Sequence, residues 1–162
     1  MASILNLLSL NVGSSSSLAG VVALIESENI HIVFLQEVRV SGDHIEHLLR
    51  GFNAVANVDI ENSSSPGTAI AWRKNLPVKD VCNLVSCRLQ VASLGSLNLM
   101  NIYAPSGSSR KVERSSFFVE GIFHSLQLYS NNSWLLGGDF NDVLERIDIE
   151  NGTGYEQKKS SA

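Results

Sequence analysis

The sequence predicts an α/β fold in which two mixed β-sheets pack face to face with helices on the outside. Two observations predict it: short apolar strands alternate with amphipathic helices in the first half, and successive strand-like runs with a hairpin signal fill the middle. With 162 residues, of which 44% are hydrophobic and 17% charged, the chain is long enough for one domain with a sizeable core.

The opening of the chain reads as a βαβ unit. The run "ILNLLSLNV" (4–12) is strand-like, and "HIVFLQE" (31–37) is nearly all apolar, which is typical of a strand covered on both faces. Between them, "SSLAGVVALIESEN" (16–29) places its apolar residues on one helical face: Leu18, Val21, Val22 and Ile25. We therefore expect two parallel neighbouring strands joined by a helix.

The next elements continue this alternation. A short helix is expected over 42–50, with Ile45, Leu48 and Leu49 facing inward. Strands follow near 52–58 and 68–73, and the intervening "ENSSSPG" has the composition of a turn.

The middle of the chain adds antiparallel strands. The runs "VKDVCNLVS" (78–86), "RLQVASL" (88–94) and "LNLMNIY" (97–103) are strand-like, and Gly95-Ser96 between the last two is a hairpin signal. A helix is then expected over 109–129, with these residues on its apolar face: Val112, Phe118, Ile122, Phe123 and Leu126. The strand "SWLLGG" (133–138) follows, so the sheets should be mixed.

Composition limits the classes of function. A net charge of −4 and a pI near 5.5 argue against binding of nucleic acid through bulk positive charge, so any contact with DNA must be local. Cys82 and Cys87 have the spacing of neither a zinc site nor a disulfide framework, and we interpret them as small buried or strand residues in a reducing compartment.

The start of the chain indicates where the protein resides. It lacks the basic segment of a signal peptide, and no apolar run is long enough to span a membrane. We therefore expect a nuclear or cytoplasmic protein that is not secreted and has no membrane partner. The acceptor motifs at Asn62, Asn131 and Asn151 would then remain unglycosylated.

Polar or aromatic side chains stand where four predicted strands end: Asn11, Glu37, Tyr103, and Asp139 with Asn141. If these ends share one edge of the packed sheets, the side chains line a single crevice, which is where α/β folds bind ligands. Each residue also has a structural interpretation. Asn11 could belong to a turn, Asp139 to a helix cap or an Asx-turn, and Glu37 to an ion pair with Arg39 or another base.

Five segments carry a resemblance to a known family. The stretches "LNVGSS", "FLQEV", "GTAIAWRKNL", "NIYAPSG" and "WLLGGDFNDVL" resemble, in that order, the endonuclease/exonuclease/phosphatase superfamily, which includes apurinic/apyrimidinic endonuclease and deoxyribonuclease I. Through "NIYAP" and "WLLGGDFN" the chain most resembles the endonuclease domain of LINE-type non-LTR retrotransposon polyproteins. The resemblance implies a four-layer α/β sandwich and phosphodiester hydrolysis assisted by Mg²⁺, or by Mn²⁺ in its place.

The resemblance also implies roles for individual residues. Asn11 and Glu37 match the metal-site positions, and Tyr103 matches the tyrosine that contacts the scissile phosphate. Asp139 matches the aspartate that orients or deprotonates the attacking water, and Asn141 the amide that holds phosphate oxygens. Hard divalent cations prefer oxygen ligands and keep several waters, so this set suffices chemically. Arg110, with Lys111 and Arg114, flanks the loop after "NIYAPSG", where the family approaches DNA; a solvated helix start is the alternative.

One feature of the family pattern is missing. Its members end with a Ser-Asp-His segment whose Asp-His pair acts in catalysis, and nothing after Asn141 matches it. The histidines all precede Asp139 and occupy no motif position, so we interpret them as surface or core residues: His31, His44, His47 and His124. We expect 1–150 to be an incomplete domain of this type and 151–162 to be a tail, and we expect no nicking by the chain alone.

The leading functional hypothesis is a DNA-nicking endonuclease domain, with a reverse transcriptase domain in the same polyprotein. Two alternatives stay open. The first is a phosphatase or phospholipase of the same superfamily, because substrate choice depends on the loops. The second is a catalytically inert remnant that acts as a folded or partner-binding module.

Overall fold

A computed structural model of the chain describes residues 4–13, 17–59, 61, 65–128 and 132–141. Its strands and first two helices run in this order: β1 Leu7–Asn11, α1 Ser17–Ser27, β2 Ile32–Val38, α2 Gly42–Leu48, β3 Phe52–Asn57, β4 Gly67–Arg73, β5 Val78–Val85, β6 Leu89–Leu94, β7 Leu97–Tyr103 and β8 Ser133–Asp139. Between β7 and β8 lies one long helical segment, 108–128. The order of elements confirms the predicted alternation.

The strands form two four-stranded mixed sheets. The first sheet has the order β1-β2-β4-β3, with β1 parallel to β2 and the other pairs antiparallel. The second has the order β5-β6-β7-β8, with β7 parallel to β8. Gly95, with a φ of 62°, lies in the β6–β7 hairpin, where Leu94 pairs with Leu97. The predicted parallel pair and the predicted hairpin are both confirmed.

Helices cover the outer face of each sheet, which gives four layers. Val21 of α1 and Ile45 of α2 pack on β2 and β4 of the first sheet. On the second sheet, Phe117 and Ile122 of the long helical segment pack against β6 and β7. Each outer layer follows from an apolar stripe on a helix and an apolar face on a sheet.

The faces that the two sheets turn toward each other change character along the strands. Their apolar part is filled by these buried residues: Ile32, Phe34, Ile70, Trp72, Ala92 and Leu99. Toward the carboxyl end of β2, the side chains that follow on this face are polar, beginning with Gln36, which is 1% exposed. The predicted covering of β2 on both faces is confirmed, since six of its seven residues are buried.

Part of the prediction for the helix over 109–129 is wrong. Val112 and Phe123, which were expected to face inward, are 80% and 57% exposed, whereas Phe117 and Ile122 are buried. The segment is not a uniform α-helix, because Phe117–Phe123 is a π-helix. A π-helix changes the phase of the side chains relative to the 3.6-residue period, so residues five apart share the buried face.

Some other expectations are corrected or fall outside the described residues. Cys82 is a strand residue but is exposed, because β5 is an edge strand whose side chains are largely in solvent. The tail 151–162, part of the domain 1–150, and the acceptor sites Asn62, Asn131 and Asn151 lie outside the described residues. Within the described part of the chain, no helix is long and apolar enough to cross a membrane.

Candidate active site

The carboxyl ends of β1, β2, β7 and β8 meet at one edge of the sandwich. β1 and β2 run parallel in the first sheet, and β7 and β8 run parallel in the second, so each pair delivers its last residues to the same place. Tyr103 and Asp139 are direct register partners at the ends of β7 and β8. The structure therefore brings the strand-end residues together, as the crevice hypothesis requires.

Asn11 joins the two sheets at this edge. Its Nδ2 donates a hydrogen bond to Glu37 Oε1 at 2.9 Å and another to Asp139 Oδ2 at 2.9 Å. Its Oδ1 accepts from the backbone N–H of Gly13 at 3.1 Å, which fixes the plane of the amide. Two carboxylates from different sheets thus converge on one neutral amide group, no further apart than twice the donor–acceptor distance.

A β-bulge aims Glu37 into the crevice. The pairing of β2 with β4 shifts between Gln36 and Val38, and Glu37 at the shift has a φ of 59°. A non-glycine residue in this left-handed region costs on the order of 1–3 kcal/mol and persists where the surrounding structure imposes it. Bulges of this kind redirect a side chain beside functional sites, which explains how an acid leaves an apolar strand here.

Asp139 and Asn141 form a tight turn. Asp139 Oδ1 accepts the backbone N–H of Asn141 at 2.9 Å, and Asn141 has a φ of 49°. The Asn141 Nδ2 donates to the Ala104 carbonyl at 2.7 Å, just beyond the end of β7. The Asx-turn alternative for Asp139 is therefore correct as geometry, and the other carboxylate oxygen still faces Asn11 and the crevice.

The two glycines before Asp139 allow close approaches that a side chain would block. A Cβ at Gly138, whose φ is 145°, would collide with the Ile102 carbonyl of β7. A Cβ at Gly137 would lie 3.1 Å from the Phe34 ring of the opposing sheet. The "GG" of "LLGGDFN" thus lets β8 reach both its neighbour and the first sheet, and Asp139 emerges at the crevice.

Tyr103 is a buried phenol between charges of both signs. Burial raises its pKa above the ordinary value of 10.0, and the carboxylates of Glu37 and Asp139 act in the same direction. Arg88 opposes them, because its guanidinium lies 4.8 Å from the centre of the Tyr103 ring. The phenol therefore stays protonated as a hydrogen-bond donor at neutral pH.

Sequence reasoning missed Arg88. Its Nη1 donates to the carbonyls of Tyr103 and Ala104 at 3.4 and 3.3 Å, and its backbone carbonyl accepts from the Tyr103 N–H at 2.8 Å. The signal was present in the hairpin: once Leu94 pairs with Leu97, the residue before β6 must lie beside Tyr103. Arg88 and Tyr103 line a surface cleft that also includes Arg110, Ser106 and Cys87.

Arg110 lies at the rim of this cleft, outside the hydrogen-bonded cluster around Asn11. Its Nε is 3.7 Å from Glu113 Oε2, and its side chain is 52% exposed. Arg114 instead donates to the Pro105 carbonyl at 3.1 Å and has a structural contact. Arg73 stacks on Phe52 and donates to the Ile30 carbonyl, at the opposite end of the first sheet.

The oxygen atoms at the crevice fit a hard divalent cation. Glu37 and Asp139 supply carboxylates, and the group between them is the neutral amide of Asn11, which leaves two negative charges close together. Such a pair favours a cation with oxygen ligands and retained waters. Within the described ranges, no group of three or more His, Cys, Asp or Glu side chains that could hold a metal occurs.

Three solved structures resemble the chain in fold. An AP endonuclease from Archaeoglobus fulgidus is 22% identical with a TM-score of 0.69, over 91% of this chain and 61% of that protein. The 3′ phosphatase NExo from Neisseria, bound to product DNA hairpin, is 18% identical with a TM-score of 0.68, over 85% and 58%. TDP2 from Caenorhabditis elegans is 21% identical with a TM-score of 0.65, over 90% and 49%. The chain therefore spans about three fifths or less of each of these proteins.

A comparison with curated protein sequences gave no significant match. The sequence model of the Endonuclease/Exonuclease/phosphatase family, in contrast, matches residues 8–156, which is nearly the whole chain and includes every strand-end residue of the crevice. The four-layer sandwich and the strand-end crevice agree with that match. The chain belongs to the Endonuclease/Exonuclease/phosphatase family.

Proposed function

We propose that the crevice is the active site of a metal-dependent phosphodiester hydrolase that nicks DNA. Glu37 is its principal metal ligand, and Asn11 is the second ligand from the first sheet through its Oδ1, which here accepts from the Gly13 N–H. Asp139 orients or deprotonates the attacking water, and Tyr103 and Asn141 contact the phosphate. Arg110 contacts the substrate at the rim of the cleft.

The observation that carries this proposal is the double hydrogen bond of Asn11. A single amide group holds Glu37 of the first sheet and Asp139 of the second at 2.9 Å each, although the two acids are about a hundred residues apart in sequence. Two acids are costly to hold this close unless the site binds a cation or reacting groups. If Glu37 or Asp139 served only to form a turn at the end of its own strand, it would not need to lie beside the other carboxylate.

The metal would be Mg²⁺, or Mn²⁺ in its place. When bound, such an ion neutralises charge that develops on the phosphate oxygens. The chain's own groups supply the rest: Tyr103, kept protonated by its surroundings, donates a hydrogen bond without competing for the cation. Arg88 adds positive charge beside the phenol, which favours a bound phosphate over a neutral ligand.

DNA is the substrate that the similar structures favour. One of them is an AP endonuclease and another is bound to a product DNA hairpin. The motifs "NIYAP" and "WLLGGDFN" further support a retrotransposon endonuclease, whose nick leaves a 3′-hydroxyl for a reverse transcriptase domain of the same polyprotein. Nuclear or cytoplasmic location is part of this proposal. A phosphatase, a phospholipase and an inert binding module are the competing outcomes of the test.

The test is nicking of supercoiled plasmid in Mg²⁺ and in Mn²⁺ by the longest natural polypeptide that carries this chain. We expect activity that Glu37→Ala abolishes and that Glu26→Ala, a change at an exposed acid on α1, leaves intact. Parallel assays with a small phosphate monoester and with phospholipid vesicles separate the alternatives. Equal nicking by wild type and Glu37→Ala would reject the proposed site, and hydrolysis of the monoester or lipid alone would reject DNA as substrate.

A further inference from the structure

The inter-sheet surface is polar beneath the crevice. The polar side chains on this part of the sheets are paired across neighbouring strands: Gln36 with Thr68 and Thr68 with Asn57 in the first sheet, and Asn101 with Gln90 in the second. All five are buried, with exposed fractions of 6% or less. Burial of so many polar groups is unfavourable unless they bond to one another, so their partners decide what this layer does.

Gln36 and Asn101 form its shortest hydrogen bond between side chains of the two sheets. Gln36 Nε2 donates to Asn101 Oδ1 at 2.7 Å, and the Asn101 Nδ2 donates to the carbonyls of Leu35 and Ala69 at 3.1 and 2.9 Å. Gln36 Nε2 also reaches Ser9 Oγ of β1 at 3.3 Å. Asn101 of β7 is therefore tied to β2 and β4, and through Gln36 to β1.

These hydrogen bonds restrict the sliding of one sheet over the other, which apolar contacts restrict less. Contacts between apolar faces are non-directional, so they define the position of one sheet on the other less sharply than hydrogen bonds do. A buried hydrogen bond weakens steeply with misalignment, and each unsatisfied buried partner is costly. The Gln36–Asn101 pair thus favours one sheet-to-sheet register.

The pair lies directly beneath the proposed catalytic groups. Gln36 precedes Glu37 and is the register partner of Asn11, and Asn101 lies two residues before Tyr103 on the same face of β7. We propose that Gln36 and Asn101 are positioning residues that set the sheet register and so hold Asn11 and Glu37 against Asp139 and Tyr103. The proposal rests on the proposed function for its effect on rate, but its effect on geometry is measured separately.

Gln90 provides a matched control. It is as buried as Gln36 and its Nε2 also crosses between the sheets, to the Val55 carbonyl at 3.1 Å. It lies on β6, and its link reaches β3, an edge strand of the first sheet, which supplies none of the crevice residues. Gln90→Met and Gln36→Met each remove a buried glutamine amide that bonds across the sheets, Gln90 also to Asn83, so a difference between their effects on Asn11 reports on position within the layer.

The first measurement uses the Asn11 side-chain amide, whose N–H groups touch both acids. In ¹⁵N-labelled protein without metal, we expect Gln36→Met and Asn101→Leu to shift the Asn11 side-chain signals and speed their hydrogen exchange. Gln90→Met should leave them unchanged. The double variant Gln36→Met/Asn101→Leu removes both side chains of the Gln36–Asn101 bond at once, so neither amide is left facing an apolar partner, and it keeps the test available if a single variant fails to fold.

The second measurement is steady-state nicking by the same variants in the longest natural polypeptide. We expect kcat to fall roughly 10- to 100-fold in the folded double variant, with KM nearly unchanged, because a small misplacement of reacting groups acts mainly on the chemical step. Unchanged Asn11 signals in that variant, or equal effects of Gln90→Met, would overturn the positioning role. Failure of the proposed function is recognised separately, by wild-type activity that does not depend on Glu37.

Discussion

Asn11 shows how one side chain can serve both structure and chemistry. Its Nδ2 donates to one carboxylate oxygen of Glu37 and to one of Asp139, each at 2.9 Å, and its Oδ1 accepts from the Gly13 N–H. Without a cation, the amide reduces the repulsion between the acids. When a cation is present, those acids can turn to it, because a hydrogen bond to a neutral amide is weaker than a bond to a divalent ion.

Asp139 offers the sharpest test of a catalytic role. Asp139→Asn keeps an oxygen for the Asn141 N–H and so should preserve the turn. It removes the negative charge that would orient or deprotonate water, and we expect hydrolysis to slow about 10²- to 10⁴-fold while DNA still binds and Mg²⁺, with Glu37 as its principal ligand, still binds but more weakly. Single-turnover nicking and calorimetric Mg²⁺ titration measure the two effects. A rate equal to wild type would leave Asp139 with the turn alone.

The pKa of Tyr103 is expected to respond to its charged neighbours with a predictable sign. Glu37→Gln removes a negative charge that disfavours the tyrosinate, so the pKa should fall toward its ordinary value while burial still holds it up. Arg88→Met removes the opposing positive charge, so the pKa should rise further. Titration of ¹³C-labelled tyrosine by NMR reads both changes. Shifts of the same sign in the two variants would contradict the assigned environment.

The sequence marks the site residues that stand at strand ends, but it does not mark a residue that only strand pairing brings to the site. Asn11, Glu37, Tyr103, Asp139 and Asn141 were all found because each interrupts or follows an apolar run. Their convergence follows from parallel pairing in both sheets, and their catalytic and metal-binding roles stay predictions. Arg88 precedes a strand in a polar turn and has no such mark; only the pairing of β6 with β7 places it beside Tyr103.

In the long helical segment, the residues that are buried differ from those that a uniform α-helical period predicts. Its existence was predicted from apolar residues alone, but its buried face depends on the π-helix Phe117–Phe123, which a 3.6-residue period cannot reveal. Phe118 and Leu126 pack at least partly as expected, while the flanking Val112 and Phe123 do not. The strands had no comparable difficulty, because an apolar run bounded by turn residues marks a buried strand without requiring that the phase of its side chains be known.

Two phenylalanines of this segment make a matched pair. Phe117 is 8% exposed and packs on the second sheet, whereas Phe123 is 57% exposed. Phe117→Ala should lower the free energy of unfolding by about 3–5 kcal/mol, and Phe123→Ala by less than about 1 kcal/mol. Urea unfolding followed by circular dichroism measures both. If Phe123→Ala were the more destabilising, the buried face would be the one predicted from the uniform helix.

For the whole molecule, the two-sheet sandwich was predictable because alternation, hairpin and βαβ signals agreed with one another. The way the sheets face each other was harder to predict. Gln36 and Asn101 stand within apolar runs and carry no local mark of a shared hydrogen bond, and only the three-dimensional packing shows that they meet at 2.7 Å. The hydrogen bonds that join the two sheets beneath the crevice were therefore not accessible to sequence reasoning.

The negative net charge of the chain makes DNA binding depend on local cations. With a net charge of −4, the chain as a whole repels DNA, so the DNA binding proposed above would come from local cations such as Arg88 and Arg110 in the cleft beside Tyr103. Each phosphate contact releases counterions and contributes about 0.9 to the slope of log K against log salt. Arg110→Ala should therefore weaken DNA binding and reduce that slope by about 1, because it removes one phosphate contact. The fold should be unaffected, since the exposed ion pair of Arg110 with Glu113 contributes little to stability.

Lys74→Ala is the matched control for this change. It removes the same unit of charge from an exposed position just after β4, at the end of the first sheet opposite Glu37. A protein that held DNA at the crevice would keep its full salt slope in this variant, since Lys74 makes no phosphate contact there. Fluorescence anisotropy of a labelled duplex at several salt concentrations measures both slopes. Equal reductions of the salt slope in the two variants would mean that diffuse charge holds the DNA. The crevice would then not be the DNA-binding surface.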